Sequence, residues 1–143
     1  MPVPTTRQTQ MDTFLGHMPA VDANEIIDNM AFKVNVVAKT ADYTVLASET
    51  GTYFTDYGCT GTIEFTLPAA TAGLQYTFYS VAAGTLLVKA ASAIMVADNN
   101  AAATSVQLAD ANDIIGGGFR VFADGSKWFA LPFGTELAVV TVA

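Results

Sequence analysis

His17 and Cys59 are the single histidine and the single cysteine of this sequence, and neither has the partners that nucleophilic or acid–base catalysis needs. His17 is the only histidine, and no recognisable motif surrounds it. A lone histidine is a weak signal, because a general base needs a nucleophile and an orienting group within reach. Cys59 is flanked by glycines in the run 58–61, which predicts a turn around a small buried thiol. We therefore expect a structural or contact role for both residues.

Patterns that activate a serine, bind a phosphate or hold a metal ion are incomplete. No serine stands in a Gly-x-Ser-x-Gly elbow. The glycines 116–118 lack the spacing of a phosphate loop and predict a bulge, a tight bend or a close approach of another backbone. Residues 98–100 and 110–113 carry oxygen ligands that suit calcium, but they lack the glycine and the distal glutamate of an EF-hand loop. Their composition favours Asx turns.

Glu49, Asp56 and Glu64 are the carboxylates that a glycosidase could use. Such an enzyme needs two carboxyl groups at a defined separation across a cleft. The sequence fixes no such separation, and the neighbouring apolar residues predict that these carboxylates lie on solvated strand faces and turns. We expect no catalytic residue, no metal site and no cofactor, and we expect that the protein is not an enzyme.

The composition is that of one domain whose surface carries little charge. The chain has 143 residues, of which 52% are hydrophobic and 13% charged, about half the usual charged fraction. Either other features keep this surface soluble, or partners cover much of it. The net charge is −7 and the six basic residues are scattered, which argues against nucleic-acid binding because phosphate contacts need a basic patch.

Cysteine content and hydropathy bear on the compartment. A single cysteine excludes an intrachain disulfide. The first residues lack the apolar centre of a signal peptide, and no apolar run approaches the roughly 18 residues of a membrane span. We expect synthesis in a cytoplasm and no membrane partner.

The composition changes near residue 33 and predicts an arm, residues 1–33, followed by a β domain, residues 34–143. Pro2 and Pro4 favour extended backbone at the start of the arm. A short helix is predicted near residues 22–32, capped by Asp22 and by a capping box with Glu25. This helix is too short to be stable alone in water, so it needs a surface to dock on. The apolar arm residues predicted to make that contact are Met11, Phe14, Leu15, Met18, Ile26, Ile27, Met30 and Phe32.

The remainder reads as short strands separated by turns. Ile63, Phe65 and Leu67 alternate with polar residues, which is the period of a half-buried strand. Asp124-Gly125 between two apolar runs is the strongest short hairpin signal. The predicted strands lie at 34–37, 43–46, 53–55, 62–67, 74–79, 85–89, 93–96, 104–108, 119–122, 127–131 and 137–142. The Ala-rich stretches are expected to be loops, with a helical turn as the alternative for 101–108. Together these signals predict an all-β, β-sandwich or jelly-roll-like domain.

The strand motifs carry a family resemblance that covers residues 43–131. The family pattern begins with threonine-aromatic-threonine-leucine-proline, which in this chain reads Glu64-Phe65-Thr66-Leu67-Pro68, with glutamate in place of the first threonine. It continues with glycine-leucine-x-tyrosine-x-phenylalanine and later aspartate-glycine-x-x-tryptophan, an order that resembles small β domains of tailed-bacteriophage structural proteins. Such domains occur in capsid decoration (cement) proteins and in tail or fibre proteins. This chain differs from fibre proteins in being short and having no collagen-like or coiled-coil shaft. The segments that carry the resemblance are 43–46, 51–54, 64–70, 73–78 and 124–128.

The resemblance implies a non-enzymatic virion protein that decorates the outer surface of the assembled capsid. Its partners would be the major capsid protein and other copies of itself, as a homotrimer or a dimer. The arm would lie across neighbouring capsid subunits and clamp them. We expect no nucleic acid and no small-molecule substrate among its partners.

Two other functions stay open at this point. One is a tail, fibre or baseplate attachment protein, in which the arm is the docking peptide. The other is a carbohydrate-binding module that uses exposed aromatic side chains, for which Tyr53, Tyr57 and Tyr79 are the candidates.

Overall fold

The computed structural model describes residues 33–108, 115–134 and 137–140, the last of these by backbone alone. Within these residues the chain forms strands and a single 3-10 helix, Ala47–Glu49, so the predicted all-β class is confirmed. The strands are β1 Val36–Ala38, β2 Tyr43–Thr44, β3 Tyr53–Thr55, β4 Ile63–Thr66, β5 Gln75–Tyr79, β6 Leu86–Lys89, β7 Met95–Ala97, β8 Asn100–Ala103, β9 Ser105–Leu108, β10 Gly118–Ala123, β11 Trp128–Phe133 and β12 Leu137–Val140.

The described strands form two sheets. The seven-stranded sheet, here called sheet A, has the order β1-β3-β5-β10-β11-β7-β8, and the five-stranded sheet B has the order β12-β9-β6-β4-β2. The first six strands alternate between the sheets, and each of β1 to β4 pairs in parallel with the strand two positions later. The chain therefore winds back and forth between sheets A and B through this half.

Antiparallel pairs dominate the second half, and the predicted hairpin is one of them. Strands β10 and β11 pair along their whole length around the turn at Asp124-Gly125. The Asp124 carboxylate accepts hydrogen bonds from the backbone N–H groups of Ser126 and Lys127, both at 2.8 Å. Gly125 has a φ of +106°, a conformation that a residue without a Cβ adopts at little cost.

The segment 101–108 is extended, so the predicted helical turn is wrong and the loop reading of its alanines is wrong as well. A turn at Asp98-Asn99, with φ values of 40° and 62°, joins β7 to β8. Two consecutive residues with positive φ are typical of a two-residue hairpin turn. The Asn100 side chain accepts the N–H of Ala102 at 2.8 Å, which is the predicted Asx-turn bond. Sheet pairing thus overrides the weak strand propensity of alanine.

Aromatic side chains from both sheets share one core. Phe54 of β3 and Phe78 of β5 belong to sheet A, whereas Phe65 of β4 belongs to sheet B. The Phe65 ring lies 5.5 Å from the Phe54 ring and 5.0 Å from the Phe78 ring, centroid to centroid. All three side chains are fully buried. The contacts join the inner faces of the sheets, and burial of such rings dominates the apolar contribution to stability.

The residues from Val34 onward form one compact unit. The predicted arm, its helix near 22–32 and the eight contact residues between Met11 and Phe32 lie outside the described residues. These predictions therefore stay predictions.

Candidate functional site

On β10, buried and exposed side chains alternate, and the exposed ones belong to the outer face of sheet A. Phe119, Val121 and Ala123 are buried and point into the core. Arg120 and Phe122, which alternate with them, are exposed on the opposite face. This alternation follows from the two-residue period of a strand.

Strand β11 continues that outer face. Its side chains are apolar on the inner face of the sheet and on the outer face. Trp128 and Ala130 point into the core and are buried. Phe129, Leu131 and Phe133 lie on the outer face, where a soluble sheet usually presents polar residues. A strand that is apolar on both faces is typical of a sheet that is covered on both sides.

The strand register extends this outer face across the sheet in three rows of side chains. One row consists of Val36, Tyr53, Thr77, Arg120 and Leu131. The second row consists of Ala38, Thr55, Tyr79, Gly118 and Phe133. The third row consists of Gln75, Phe122, Phe129 and Val96. We call these three rows together the aromatic face.

Two stacked ring pairs order the aromatic face. The rings of Phe122 and Phe129 lie 5.2 Å apart at 16°, and those of Tyr79 and Phe133 lie 6.2 Å apart at 18°. Phe122 and Phe129 lie directly opposite each other on neighbouring strands, where such a pair stabilises a sheet by about 0.2–1 kcal/mol, whereas Tyr79 and Phe133 meet across Gly118 of the intervening strand. The rings are therefore held in place before any partner arrives.

Gly118 allows the Phe133 ring to lie flat against β10. A Cβ at position 118 would stand 2.7 Å from Cζ of Phe133, and closer still to the carbonyl oxygen of Phe78. The sequence predicted a close backbone approach at the glycines 116–118, and the structure confirms it at this position. Any larger residue would push the Phe133 ring off the aromatic face.

Much of the aromatic face remains accessible to solvent in the single chain. Val36 is 59% exposed, Leu131 54%, and Phe122 and Phe133 38% each. Several large apolar side chains exposed on one face are typical of surfaces that bind a ligand or another macromolecule.

The electrostatics of the aromatic face are simple. Its one charged member is Arg120, whose guanidinium donates to the Tyr53 hydroxyl at 3.4 Å. None of its members is acidic, although the whole chain carries a net charge of −7. A partner that covers this face must therefore desolvate only one cation, which already has a polar neighbour.

The outer face of sheet B has a different character. Glu64, Thr66, Leu87, Lys89 and Gln107 line an open groove of about 550 Å³ there. Glu64 and Lys89 form a salt bridge between β4 and β6. Charged and polar side chains on an outer face are what contact with water favours.

Two of the three carboxylates considered for catalysis, Glu49 and Asp56, accept structural hydrogen bonds, and the third, Glu64, forms the salt bridge with Lys89. The prediction that Asp56 is solvated is wrong, because its side chain is only 1% exposed. It accepts hydrogen bonds from Ser80 Oγ at 2.9 Å and from the N–H groups of Val81 and Ala82 at 2.6 and 3.0 Å. A buried carboxylate is stable only when donors satisfy it in this way, and this one fastens the end of β3 to the segment between β5 and β6.

Glu49 is likewise part of a local network. Its carboxylate accepts hydrogen bonds from the Tyr43 hydroxyl at 2.9 Å and from the Leu46 N–H at 2.8 Å. The Tyr76 hydroxyl donates to the Leu46 carbonyl at 3.0 Å. Burial raises the pKa of Tyr76, and the negative charge of Glu49 adds to the effect.

Of the other residues singled out from the sequence, those that the structure describes are at least partly exposed. The Cys59 thiol is half-buried rather than buried, and it donates to the Gly61 carbonyl at 3.3 Å. Tyr57 is 72% exposed, as the carbohydrate hypothesis expects, whereas Tyr53 and Tyr79 are half-buried within the aromatic face. His17 and residues 110–113 lie outside the described part of the chain.

Within the described ranges no three His, Cys, Asp or Glu side chains cluster as metal ligands. In the same ranges no helix is long and apolar enough to cross a membrane. A scan of protein-family models and a search of curated protein sequences found no match to this chain.

The sequence analysis did not identify the outer side of β11. An aromatic residue at strand spacing usually points inward, so residue type alone does not mark these side chains as exposed. The signal that could have found Phe129, Leu131 and Phe133 is their alternation with Trp128 and Ala130. Both sets are apolar, so one of them had to lie on the outer face.

Proposed function

We propose that this chain is a non-enzymatic capsid decoration (cement) protein of a tailed phage. The observation that carries the proposal is the aromatic face, an ordered apolar surface that a single soluble chain would not keep in contact with water. The motif order at residues 43–131, which resembles phage structural domains, supports a virion as the place where this face is covered.

The major capsid protein is the partner that covers the aromatic face in this proposal. Stacked rings and a single cation suit an apolar protein surface, since the core of a protein interface is aromatic and poor in charge. The low charged fraction of the chain, 13%, supports the same conclusion.

The finer architecture belongs to the same proposal. We take sheets A and B as the layers of a β-sandwich, which the ring contacts between Phe54, Phe65 and Phe78 support. A jelly roll is built from antiparallel strands, so the parallel winding of β1 to β6 favours a sandwich without that topology.

The arm, residues 1–33, provides the second contact in this proposal and clamps neighbouring capsid subunits. A protein that binds only the assembled shell stabilises the assembled state by mass action. Two contacts per copy, and several copies per oligomer, raise the overall avidity. The shell is thereby strengthened against the internal pressure of packaged DNA.

Copy number in purified particles tests the proposal. Quantitative mass spectrometry gives the ratio of this chain to the major capsid protein. Shell-wide decoration predicts a ratio near one to one, or hundreds of copies per particle. A few to a few dozen copies would place the protein in the tail, fibre or baseplate, and absence from particles would refute the virion role.

Truncation of the arm tests its separate role. A chain that begins at Val34 is expected to keep the circular dichroism spectrum of the β domain and to lose shell binding. Full occupancy of shells by the truncated chain would show that the aromatic face suffices and that the arm does not clamp the shell.

A further inference from the structure

The two edges of sheet A differ in how their backbone groups are satisfied. Strand β1 forms one edge and β8 the other. An edge strand presents a row of unpaired N–H and C=O groups, and native proteins usually block that row with charges, bulges or side-chain hydrogen bonds.

The β8 edge is blocked. The Ala102 N–H donates to the Asn100 side chain, and Lys127 Nζ donates to the Ala101 carbonyl, both at 2.8 Å. The pairing of β8 with β7 is also irregular, with a register shift between Met95 and Ala97. These features leave little regular backbone for an incoming strand.

Within the part of the chain that the structure describes, the β1 edge is open. The Asn35 carbonyl and the Lys39 N–H bond to β3, at 2.8 and 2.9 Å. In a parallel ladder alternate residues bond to the same neighbour, so the N–H and C=O groups of Val36 and Ala38 point away from β3. Among the described residues these outward groups have no hydrogen-bond partner.

The side chains along the β1 edge are apolar and accessible. Val34 and Val36 are each 59% exposed. Val36 also begins one row of the aromatic face, so the edge and that face are continuous. β-branched side chains of this kind favour pairing with a further strand.

We propose that the β1 edge pairs antiparallel with the β1 edge of a second copy of this chain. This inference rests on the edge geometry and does not depend on the capsid role. A two-fold axis perpendicular to sheet A makes the strands antiparallel and keeps both aromatic faces on the same side. The dimer is therefore one continuous sheet with a doubled aromatic surface.

A second copy fits this edge without opposing like charges, and that requirement bears on the register. With a two-fold axis at Val37, Lys39 lies opposite the partner subunit's Asn35 and Lys33 opposite the partner subunit's Ala41. An axis at Val37 sets Val36 opposite the partner subunit's Ala38, which allows their outward backbone groups to bond. An axis at Val36 would instead set Lys33 opposite the partner subunit's Lys39, and like charges directly opposite are destabilising.

The test is sedimentation equilibrium of the full chain over a wide concentration range. Two variants carry the same added charge on the two edges of sheet A, Val36→Lys and Ala102→Lys. Both positions are exposed, and thermal unfolding with circular dichroism confirms that each variant folds. Val36→Thr keeps a β-branched side chain at the open edge and serves as the conservative control.

The wild-type chain is expected to form a dimer, and Val36→Lys to weaken it by about tenfold or more, or about 1.4 kcal/mol. Ala102→Lys and Val36→Thr are expected to dimerise like the wild type. A monomeric wild type would overturn the proposal and would leave the edge to a strand of another protein. Equal weakening of the dimer by Val36→Lys and Ala102→Lys would overturn it as well. A third variant, Leu131→Lys, lies on the aromatic face, and a dimer that only this variant disrupts would also overturn the proposal. The copy number in particles is measured separately, so failure here leaves the capsid role standing.

Discussion

The outer faces of the two sheets are built from the same chain and present opposite chemistry. On sheet B the neighbouring residues Glu64, Leu87 and Gln107 form a mixed row beside the Glu64–Lys89 salt bridge. On sheet A the row that ends in Arg120 and Leu131 has one cation and no acidic residue. The overall composition of the chain cannot explain this difference, because the exposed aromatic and aliphatic side chains are concentrated on one of the two outer faces.

The difference shows which outer face is suited to contact with water, and in our proposal a partner covers the other face. The inner faces of both sheets are apolar because they share a core. The aromatic face is apolar without any such partner among the described residues. Its rings are already stacked, so little side-chain entropy remains to be lost on binding.

The largest expected effect separates the two sides of β11. Trp128 is fully buried and donates from Nε1 to the Pro68 carbonyl at 3.3 Å, whereas its neighbour Phe129 lies on the aromatic face. Trp128→Ala is expected to lower the free energy of unfolding by about 3–5 kcal/mol, and Phe129→Ala by about 1 kcal/mol or less. Urea unfolding measures both. Similar losses would mean that the aromatic face is part of the core and not a docking surface.

The next effect tests whether a carboxylate is structural or solvated. Asp56→Ala leaves three donors without their acceptor and is expected to cost about 3 kcal/mol or more. Asp56→Asn retains one acceptor oxygen and should cost less. Glu64→Gln removes only a surface salt bridge and should cost about 1 kcal/mol at most.

Chemical denaturation measures the free energy of unfolding of these three variants. The expected order of stability is Glu64→Gln, then Asp56→Asn, then Asp56→Ala as the least stable. A wild-type stability for Asp56→Ala would contradict the bonding described at the end of β3.

The next prediction compares the same added charge on the two outer faces. We expect a small effect on stability at both positions and a large effect on binding at only one. Leu131→Asp and Leu87→Asp place the same charge on the aromatic face and on sheet B. Leu131→Asp is expected to reduce shell binding by about tenfold or more, while its stability stays within about 0.5 kcal/mol of the wild type. Leu87→Asp should bind normally.

Co-sedimentation with undecorated shells measures the binding of both variants. The reverse pattern, with Leu87→Asp defective and Leu131→Asp normal, would move the docking surface to sheet B.

The smallest effect concerns the turn that sets the register of β10 and β11. Backbone hydrogen bonds from Lys127 and then Ser126 lower the pKa of Asp124 below its ordinary value of 3.8. A lowered folded-state pKa stabilises the fold above the ordinary value, and this contribution is lost as the pH falls through the lowered pKa. The thermal midpoint of Asp124→Asn should therefore lie slightly below that of the wild type at neutral pH and converge with it in acid. A gap that does not change with pH would exclude the charge of Asp124 as its cause.

Local signals made part of the fold predictable. The alternation at Ile63, Phe65 and Leu67 and the turn at Asp124-Gly125 each act over a few residues, and both are present in the structure. Strand β8 was missed because its Asn-Ala-Ala-Ala sequence has weak strand propensity and is extended only through its pairing with β7.

Pairing between distant strands was not readable from the sequence. The parallel winding of β1 to β6 depends on contacts across long separations, which no local pattern encodes. The same limit hid the aromatic face, because only the register shows that Tyr53, Arg120 and Leu131 lie in one row. Exposure of Tyr57 was predicted, and burial of Asp56 was not, because its donors lie on a segment more than twenty residues away in the chain.

Hydroxyl-radical footprinting of the free chain and of purified particles tests the central claim most directly. Phe122, Phe129 and Phe133 should react in the free chain and be strongly protected in particles, because the aromatic face is covered there. Leu87 on sheet B serves as the internal reference and should react similarly in both states. Equal labelling of the three phenylalanines in free and particle-bound chain would contradict the account.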